Sequence, residues 1–146
     1  MGCTPARQEP FVNYWGRGWN LYECIRRHVI KLNDAVYYAT WLNFFNSILF
    51  HNLFFQDTSY ELLGFCLQGR DLHAVLKQAF VVSDAPVNLS EVKDFLEFNG
   101  FENTRRNDYY NPEPGLKLED IHDENVIMNS GIIFFIDTVF YIDLEN

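Results

Sequence analysis

The sequence predicts an α+β fold built on antiparallel strands, and three observations support this prediction. Short apolar runs flank turn signals at Gly69–Asp71 and at Asn129–Gly131, which is the pattern of β-hairpins. A long uncharged segment before the first hairpin carries apolar residues at helical spacing, and a shorter helical segment separates the two hairpins. Strands interleaved with only two helices are typical of a mixed α+β domain.

The composition is that of a folded, acidic protein. The chain has 146 residues, of which 48% are hydrophobic and 17% aromatic, so it can bury a core. Its formal net charge is −9, which argues against general nucleic-acid binding because phosphate contacts need clustered Lys and Arg. The three cysteines have no CxxC spacing, so we expect neither a disulfide framework nor a zinc site, and a cytoplasmic location.

The N-terminal part is expected to lack regular structure at first. Residues 1–19 contain scattered Gly and Pro and predict an irregular lead-in, followed by a single domain over residues 20–146. Two short strands, Leu21–Ile25 and His28–Leu32, are predicted at the start of that domain, with Arg26-Arg27 between them.

The uncharged stretch from Ala35 to Gln56 could span a bilayer by length, but its pattern favours an amphipathic helix in a soluble core. Asn33-Asp34 offers an N-cap for a helix from about Ala35 to Leu53. Polar residues at three- and four-residue steps predict its outward face, and the opposing apolar stripe predicts its buried face. The polar stripe is Thr40, Asn43, Ser47 and His51, and the apolar stripe is Tyr38, Trp41, Leu42, Phe45, Ile48, Leu49 and Leu53.

A β-hairpin and a second helix are predicted next. Ser59–Gln68 and Leu72–Val82 are strands joined by the Gly69–Asp71 turn. Asn88, with Glu91 three residues later, resembles a capping box and opens a helix to about Asn99 that Gly100 ends. Residues 101–114 are predicted to be turn-rich.

The residues best suited to chemistry lie in the last third of the chain. Asp120 and Asn125, five residues apart on an acidic loop, can face one cavity. The following hairpin, Val126–Met128 with Ile132–Asp137, returns Asp137 alongside them. This set supplies a carboxylate for a hydroxyl proton and two oxygen ligands for a hard divalent cation, as phosphoryl transfer requires. A metal-dependent hydrolase using His122, Asp120 and Asp123 is a weaker interpretation, because no HExxH-like ligand spacing is present.

The spacing of Asp120 and Asn125, followed by an apolar hairpin that ends in Asp137, resembles the kinase catalytic loop and metal-binding aspartate. His122 stands two residues after Asp120, as in aminoglycoside and choline kinases. Upstream, the run His28-Val29-Ile30-Lys31 resembles the kinase strand that carries the phosphate-contacting lysine.

More specifically, the chain resembles the serine/threonine/tyrosine kinases found in polyvalent proteins of mobile elements, common in Bacteroidetes. The resemblance runs from about residue 22 to residue 143. The stretches that carry it are Val29–Asp34, His51–Phe55, Tyr60–Phe65, Leu76–Gln78, Asn99–Phe101 and Glu119–Val126.

This resemblance implies a minimal protein-kinase-like fold: an antiparallel sheet with one long helix, a short second helix and a C-terminal catalytic-loop hairpin, without a large helical C-lobe. It implies ATP and Mg²⁺ as cofactors. Lys31 would contact the nucleotide phosphates, and Asp120 would be the catalytic base. Asn125 and Asp137 would hold Mg²⁺. The backbone from Gln78 to Val82 would meet the adenine.

The sequence also departs from the kinase pattern. The long helix carries no Glu between Ala35 and Gln56 to pair with Lys31, and Glu61 is the candidate substitute. Gly16-Arg17-Gly18 is the candidate Gly-rich loop. These departures support an alternative function, a catalytically degenerate kinase-like module that binds a partner. The phosphate acceptor or protein partner is unknown, and a homodimer is one way to cover an exposed apolar flank.

Overall fold

The computed structural model describes residues 13–14, 19–23 and 28–143, and for the first two of these segments it describes the backbone only. Their first sheet is antiparallel and has the strand order β1-β2-β3-β5-β4. Its strands are β1 (Asn13–Tyr14), β2 (Trp19–Glu23), β3 (His28–Asn33), β4 (Tyr60–Gln68) and β5 (Asp71–Ala79).

The two N-terminal strands and the first hairpin form close to where the sequence predicted them. Strand β1 lies inside the segment predicted to be irregular, and the candidate Gly-rich loop at Gly16–Gly18 lies outside the described residues. Gly69 turns the β4–β5 hairpin with a φ of +64°, a conformation that glycine adopts without strain. Strand β5 ends at Ala79 instead of the predicted Val82, and residues 80–84 continue without regular structure.

Helix α1 (Trp41–Phe54) begins six residues later than predicted. The predicted N-cap at Asn33-Asp34 is wrong because the Asn33 carboxamide accepts the N–H of Ala35 at 2.6 Å, which forms a local turn with Ala35 at a φ of +58°. Thr40 is the actual N-cap, and its hydroxyl oxygen accepts the N–H of Asn43 at 3.2 Å.

The predicted faces of α1 are also partly wrong. Ser47 and His51, predicted to face outward, are buried, and Leu42, Leu49 and Leu53, predicted to face inward, are 70%, 64% and 63% exposed. The reason is that the inner surface of α1 meets polar groups that need partners, so the helix buries its hydrogen-bonding residues there. Within the described residues, no helix combines the length and the apolar character needed to cross a membrane.

Helix α2 (Leu89–Phe98) confirms the second helix prediction. The side chain of Asn88 caps it by accepting the N–H of Ser90 at 3.0 Å, and Gly100 follows its end with a φ of +87°. Residues 101–114, predicted to be turn-rich, contain turns at 106–107 and from 112 onward, but they also form a hairpin that was not predicted. That hairpin pairs β6 (Glu102–Arg105) with β7 (Asp108–Asn111).

A second sheet contains β6, β7, β8 (Leu116–Glu119) and β11 (Val139–Ile142), in the order β11-β8-β7-β6. Neither β8 nor β11 was predicted from the sequence. The acidic loop begins directly after β8, at Asp120. The predicted C-terminal hairpin forms between β9 (Val126–Asn129) and β10 (Ile132–Phe135), with turn residues Ser130 and Gly131 at positive φ.

Two hydrophobic clusters hold these parts together. One joins α1 to β4 and β5 through Phe44, Ile48 and Leu76. The other joins α2 to β8, β9, β10 and β11, with Leu96, Leu118, Phe101, Phe135 and Phe140 among its fully buried side chains. The architecture is therefore α+β with mostly antiparallel sheets and two helices, compatible with a small kinase-like domain.

Candidate functional site

A cleft of about 550 Å³ lies between the first sheet and the C-terminal hairpin. Its volume falls within the range of small-molecule sites in proteins. Apolar side chains line much of it, and two of its polar side chains, Lys31 and Asp137, lie 2.9 Å apart. Its walls include Val29 of β3, Ala79 to Val81 at the end of β5, Val126 and Ile127 of β9, and the polar residues Lys31, Gln78 and Asp137.

Lys31 and Asp137 form an ion pair inside this cleft. The Lys31 Nζ lies 2.9 Å from Asp137 Oδ1 and donates to the carbonyl of Ile136, also at 2.9 Å. Their side chains are only 7% and 17% exposed. Glu61, the predicted substitute partner of Lys31, pairs instead with Lys77 at 2.6 Å. That prediction is wrong because Glu61 lies on the exposed face of edge strand β4 opposite Lys77.

Tyr60, at the start of β4, completes this cluster. The single hydrogen of its hydroxyl is shared between the carbonyl of Ile136 at 2.7 Å and Asp137 Oδ1 at 3.0 Å, which are also the two acceptors of Lys31. The Lys31 Nζ also lies 5.4 Å from the centre of the Tyr60 ring. Burial, followed by the Asp137 charge, raises the pKa of Tyr60 well above its usual value, so the hydroxyl stays protonated.

The acidic loop brings Asp120, His122 and Asn125 together. The Asn125 Nδ2 donates to the backbone carbonyl of Asp120 at 2.8 Å and to its Oδ2 at 3.0 Å. The His122 Nδ1 accepts the N–H of Glu124 at 3.2 Å. The other ring nitrogen, Nε2, lies 3.0 Å from Asn125 Nδ2 and 3.2 Å from Asp120 Oδ1. Asp120 holds a φ of +67°, which aspartate tolerates better than most residues.

Asp137 and Asn125 are joined through the backbone. The carbonyl of Asn125 accepts the N–H of Ile136 at 3.0 Å and that of Asp137 at 3.4 Å. Both side chains line a second cavity of about 440 Å³, and Asp137 lines the cleft as well. One carboxylate and one carboxamide are the oxygen ligands that Mg²⁺ accepts when water and phosphate oxygens supply the rest, so the residues fit that ion.

The second cavity is strongly acidic. Tyr37, Val139 and Tyr141 form the apolar part of its wall. The carboxylates around it are Asp108, Glu119, Asp120, Glu124 and Asp137. Burial and the neighbouring Asp108 charge raise the pKa of Glu119. Among the residues that the structure describes, no three His, Cys, Asp or Glu side chains are arranged to hold a metal ion.

Gln78 and Val82, the predicted ends of the adenine-contacting segment, have different surroundings. Gln78 is 1% exposed, lines the cleft and donates through Nε2 to the carbonyl of Thr58 at 2.7 Å. Val82 is 60% exposed, and its side chain does not line the cleft. The Val82 carbonyl accepts Asn129 Nδ2 at 2.7 Å, which ties this segment to the C-terminal hairpin.

Sequence reasoning missed a buried polar chain behind the ion pair. His51 of α1 lies 2.7 Å from the hydroxyl of Thr138 and 3.0 Å from the carbonyl of Thr58. Burial, the largest cause, lowers the pKa of His51 to about 4. The signal available in the sequence was weak, because a single His and a single Thr 87 positions apart show no shared pattern.

The sequence was compared with known proteins. No curated protein and no solved structure gives a significant match. One family profile matches residues 6–144, almost the whole chain, and its description is Serine/Threonine/Tyrosine Kinase found in polyvalent proteins. The chain therefore belongs to this kinase family of polyvalent proteins.

Proposed function

We propose that the protein transfers a phosphoryl group from Mg-ATP to an acceptor that enters the acidic cavity. The observation that carries this proposal is the Lys31–Asp137 pair, 2.9 Å apart at the junction of the cleft and the second cavity. Family membership supports kinase-type chemistry in general, and the geometry supports the assignment of roles to individual residues.

The cleft suits a nucleotide because its two ends differ. Val29 and Val126 offer apolar surfaces to a flat base, and the backbone between Ala79 and Ser83 offers hydrogen-bonding groups. Val29 pairs with Gln78 next to the end of β5, and Lys31 lies further along β3, opposite Leu76. At the other end, Lys31 presents a buried positive charge to phosphate oxygens. We assign the base to the first end and the phosphates to the second.

Asp137 and Asn125 would hold the metal ion at the phosphate end. A bound Mg²⁺ would neutralise charge on the phosphates during transfer. The backbone bonds from Ile136 and Asp137 to the carbonyl of Asn125 keep the two ligands on one wall. Their carboxylate and carboxamide need no rearrangement of the main chain to face the same cavity.

Asp120 is the residue that we assign to the acceptor hydroxyl. It lines the second cavity, which Asp137 also reaches, so an acceptor there would lie beside the phosphate end of the cleft. The contacts from Asn125 and from the His122 Nε2 orient the Asp120 carboxylate. A carboxylate so oriented can accept a hydroxyl proton as the phosphorus–oxygen bond forms.

The alternative is a degenerate kinase-like module that binds a partner, with or without a nucleotide. One observation favours it: α1 presents the neutral His51, not a carboxylate, to the region of Lys31, and Lys31 pairs with Asp137 itself. An active enzyme must let Asp137 serve both Lys31 and a metal ion.

A thermal-shift experiment tests the proposal. We expect ATP with Mg²⁺ to raise the melting temperature of the wild type, and ATP alone to raise it much less. Asp137→Ala should lose the Mg-dependent part, measured against its own ligand-free melting temperature. Asp94→Ala, an exposed change on α2, is the matched control and should respond like the wild type.

Turnover separates the two functions. ATP consumption that is lost in Asp120→Asn, with Mg-ATP binding retained, supports a phosphotransferase. Mg-dependent binding without turnover in any variant supports the degenerate module. An unchanged melting temperature of the wild type in the presence of Mg-ATP would contradict the proposed phosphotransferase activity.

A further inference from the structure

We infer that Tyr60 is the positioning residue of the Lys31–Asp137 pair and links it to helix α1. Its catalytic meaning rests on the proposed function, but its effect on Lys31 can be measured without any nucleotide. The hydroxyl, the ring and the two backbone groups of Tyr60 each make a separate contact.

The Tyr60 hydroxyl bonds the same two acceptors as the Lys31 ammonium group. Tyr60 Oη lies 2.7 Å from the carbonyl of Ile136 and 3.0 Å from Asp137 Oδ1, and Lys31 Nζ lies 2.9 Å from both. A neutral donor and a cationic donor therefore fix one carboxylate oxygen and the preceding carbonyl from two sides. This arrangement restricts both the Asp137 side chain and the backbone that carries it.

Helix α1 reaches this cluster through Asn52. The Asn52 side chain accepts the N–H of Tyr60 at 2.7 Å and donates to its carbonyl at 2.8 Å, so one carboxamide bonds both backbone groups of Tyr60. The His51 ring packs against the Tyr60 ring with centroids 4.6 Å apart. The helix thus positions Tyr60, and Tyr60 positions Lys31 and Asp137.

The contacts through Asn52 and Tyr60 connect α1 to the Lys31–Asp137 pair, a connection that a carboxylate on α1 could otherwise make. Between Trp41 and Phe54 the helix carries no acidic residue that could bind Lys31 directly. Tyr60 is 5% exposed, and its hydroxyl is a neutral donor, so it bonds Asp137 without adding a second positive charge beside Lys31.

The test compares Tyr60→Phe with Tyr38→Phe. Tyr38 is a suitable control because it is partly buried and donates one hydrogen bond, to Ser47 at 3.1 Å, with no hydrogen bond to Asp137. The ligand-free proteins are treated with a limiting amount of an acylating reagent, and acylation of Lys31 and Lys77 is followed by mass spectrometry of peptides. Mg-dependent ATP binding is measured by calorimetry on the same proteins.

We expect Tyr60→Phe to raise the Lys31 acylation rate about tenfold, the equivalent of one lost hydrogen bond to a charged group. Lys77 should react at the same rate in all three proteins, and Lys31 in Tyr38→Phe should match the wild type. The Mg-dependent gain in ATP affinity should fall about tenfold in Tyr60→Phe only. A second variant, Asn52→Ala, should shift Lys31 acylation in the same direction.

Equal Lys31 rates in wild type and Tyr60→Phe would overturn the inference. Equal increases in Tyr60→Phe and Tyr38→Phe would also overturn it, because they would reflect general loosening of the core. A wild type without Mg-dependent ATP binding would refute the proposed function, and the acylation rates would still decide the role of Tyr60.

Discussion

The His51 Nδ1 lies 2.7 Å from the Thr138 hydroxyl oxygen, so helix α1 is bonded to the residue that directly follows Asp137. The second ring nitrogen of His51 lies 3.0 Å from the carbonyl of Thr58, which can only accept a hydrogen bond. Nε2 therefore carries the proton, and Nδ1 accepts the hydroxyl of Thr138. A neutral His51 satisfies both partners.

This neutral state predicts a specific pH dependence of stability. The pKa of His51 is lowered to about 4 in the fold from its usual value of 6.5, chiefly by burial and also by the Lys31 charge, while the hydrogen bond to Thr58 and the Asp137 charge oppose the shift. The unfolded chain therefore binds the proton more readily, so stability is full above about pH 6.5 and declines as the pH falls toward 4. The loss should reach roughly 3 kcal/mol.

Two measurements check the role of His51. Its ring should titrate near pH 4 in NMR spectra of the folded protein. In urea denaturation between pH 7 and pH 4.5, His51→Gln should show a smaller fall in unfolding free energy than the wild type. In His73→Gln, which alters another buried histidine, the unfolding free energy should fall as much as in the wild type. A wild-type His51 that titrates near its usual pKa would contradict the assignment.

Removal of the Lys31 charge should destabilise the protein. Lys31→Met leaves Asp137 buried without its cationic partner, and a broken buried ion pair costs about 3 kcal/mol or more. We expect a lower denaturation midpoint and loss of Mg-ATP binding. The measurement is urea denaturation monitored by circular dichroism, together with calorimetry of Mg-ATP binding.

Lys77→Met is the matched control for that change. Lys77 also pairs with a carboxylate, Glu61, but that pair is exposed to solvent. Its denaturation midpoint should stay close to that of the wild type. A Lys31→Met protein as stable as Lys77→Met would mean that the buried pair contributes no net stabilisation.

Ser47→Ala should weaken the attachment of α1 to the second sheet. The Ser47 hydroxyl oxygen accepts the N–H of Phe140 at 2.9 Å and the Tyr38 hydroxyl at 3.1 Å, and all three groups are wholly or partly buried. Loss of this acceptor should cost about 1–3 kcal/mol of unfolding free energy, because a buried N–H loses its partner.

Thermal denaturation checks this prediction against Ser83→Ala. The Ser83 hydroxyl donates to a carbonyl in an exposed segment, where water can replace it. Hydrogen exchange of the Phe140 amide should accelerate in Ser47→Ala and stay unchanged in Ser83→Ala. Equal stability of the two variants would show that the N–H of Phe140 finds another acceptor.

The hairpins of this fold could be predicted because their turn residues are local signals. Gly69 and Asn129–Gly131 turn hairpins at the predicted places, and Asn88 caps α2 as predicted. The start of α1 could not be predicted, since Asn33 is as good a turn former as an N-cap. The β6–β7 hairpin was missed because Arg106 and Asn107 occupy its turn instead of a glycine pair.

Less of the candidate site than of the fold could be predicted from the sequence. The spacing of Asp120, Asn125 and Asp137 predicts that they share a cavity, and they line one together. The partners of Lys31 could not be inferred, because residues more than 100 positions apart in the chain meet only through the fold. The polar stripe of α1 predicted an outward face, since sequence periodicity does not show whether a buried surface offers hydrogen bonds.

The backbone on either side of Asp137 is restrained by hydrogen bonds. The N–H groups of Ile136 and Asp137 bond the Asn125 carbonyl, the Thr138 side chain bonds His51, and residues Val139–Ile142 pair in β11 with β8. Displacement of the backbone at this aspartate would require the β11–β8 ladder to separate and the Thr138–His51 bond to break. Such an opening is sub-global unfolding, not a loop motion. The main chain that carries the aspartate should therefore keep its position through a catalytic or binding cycle.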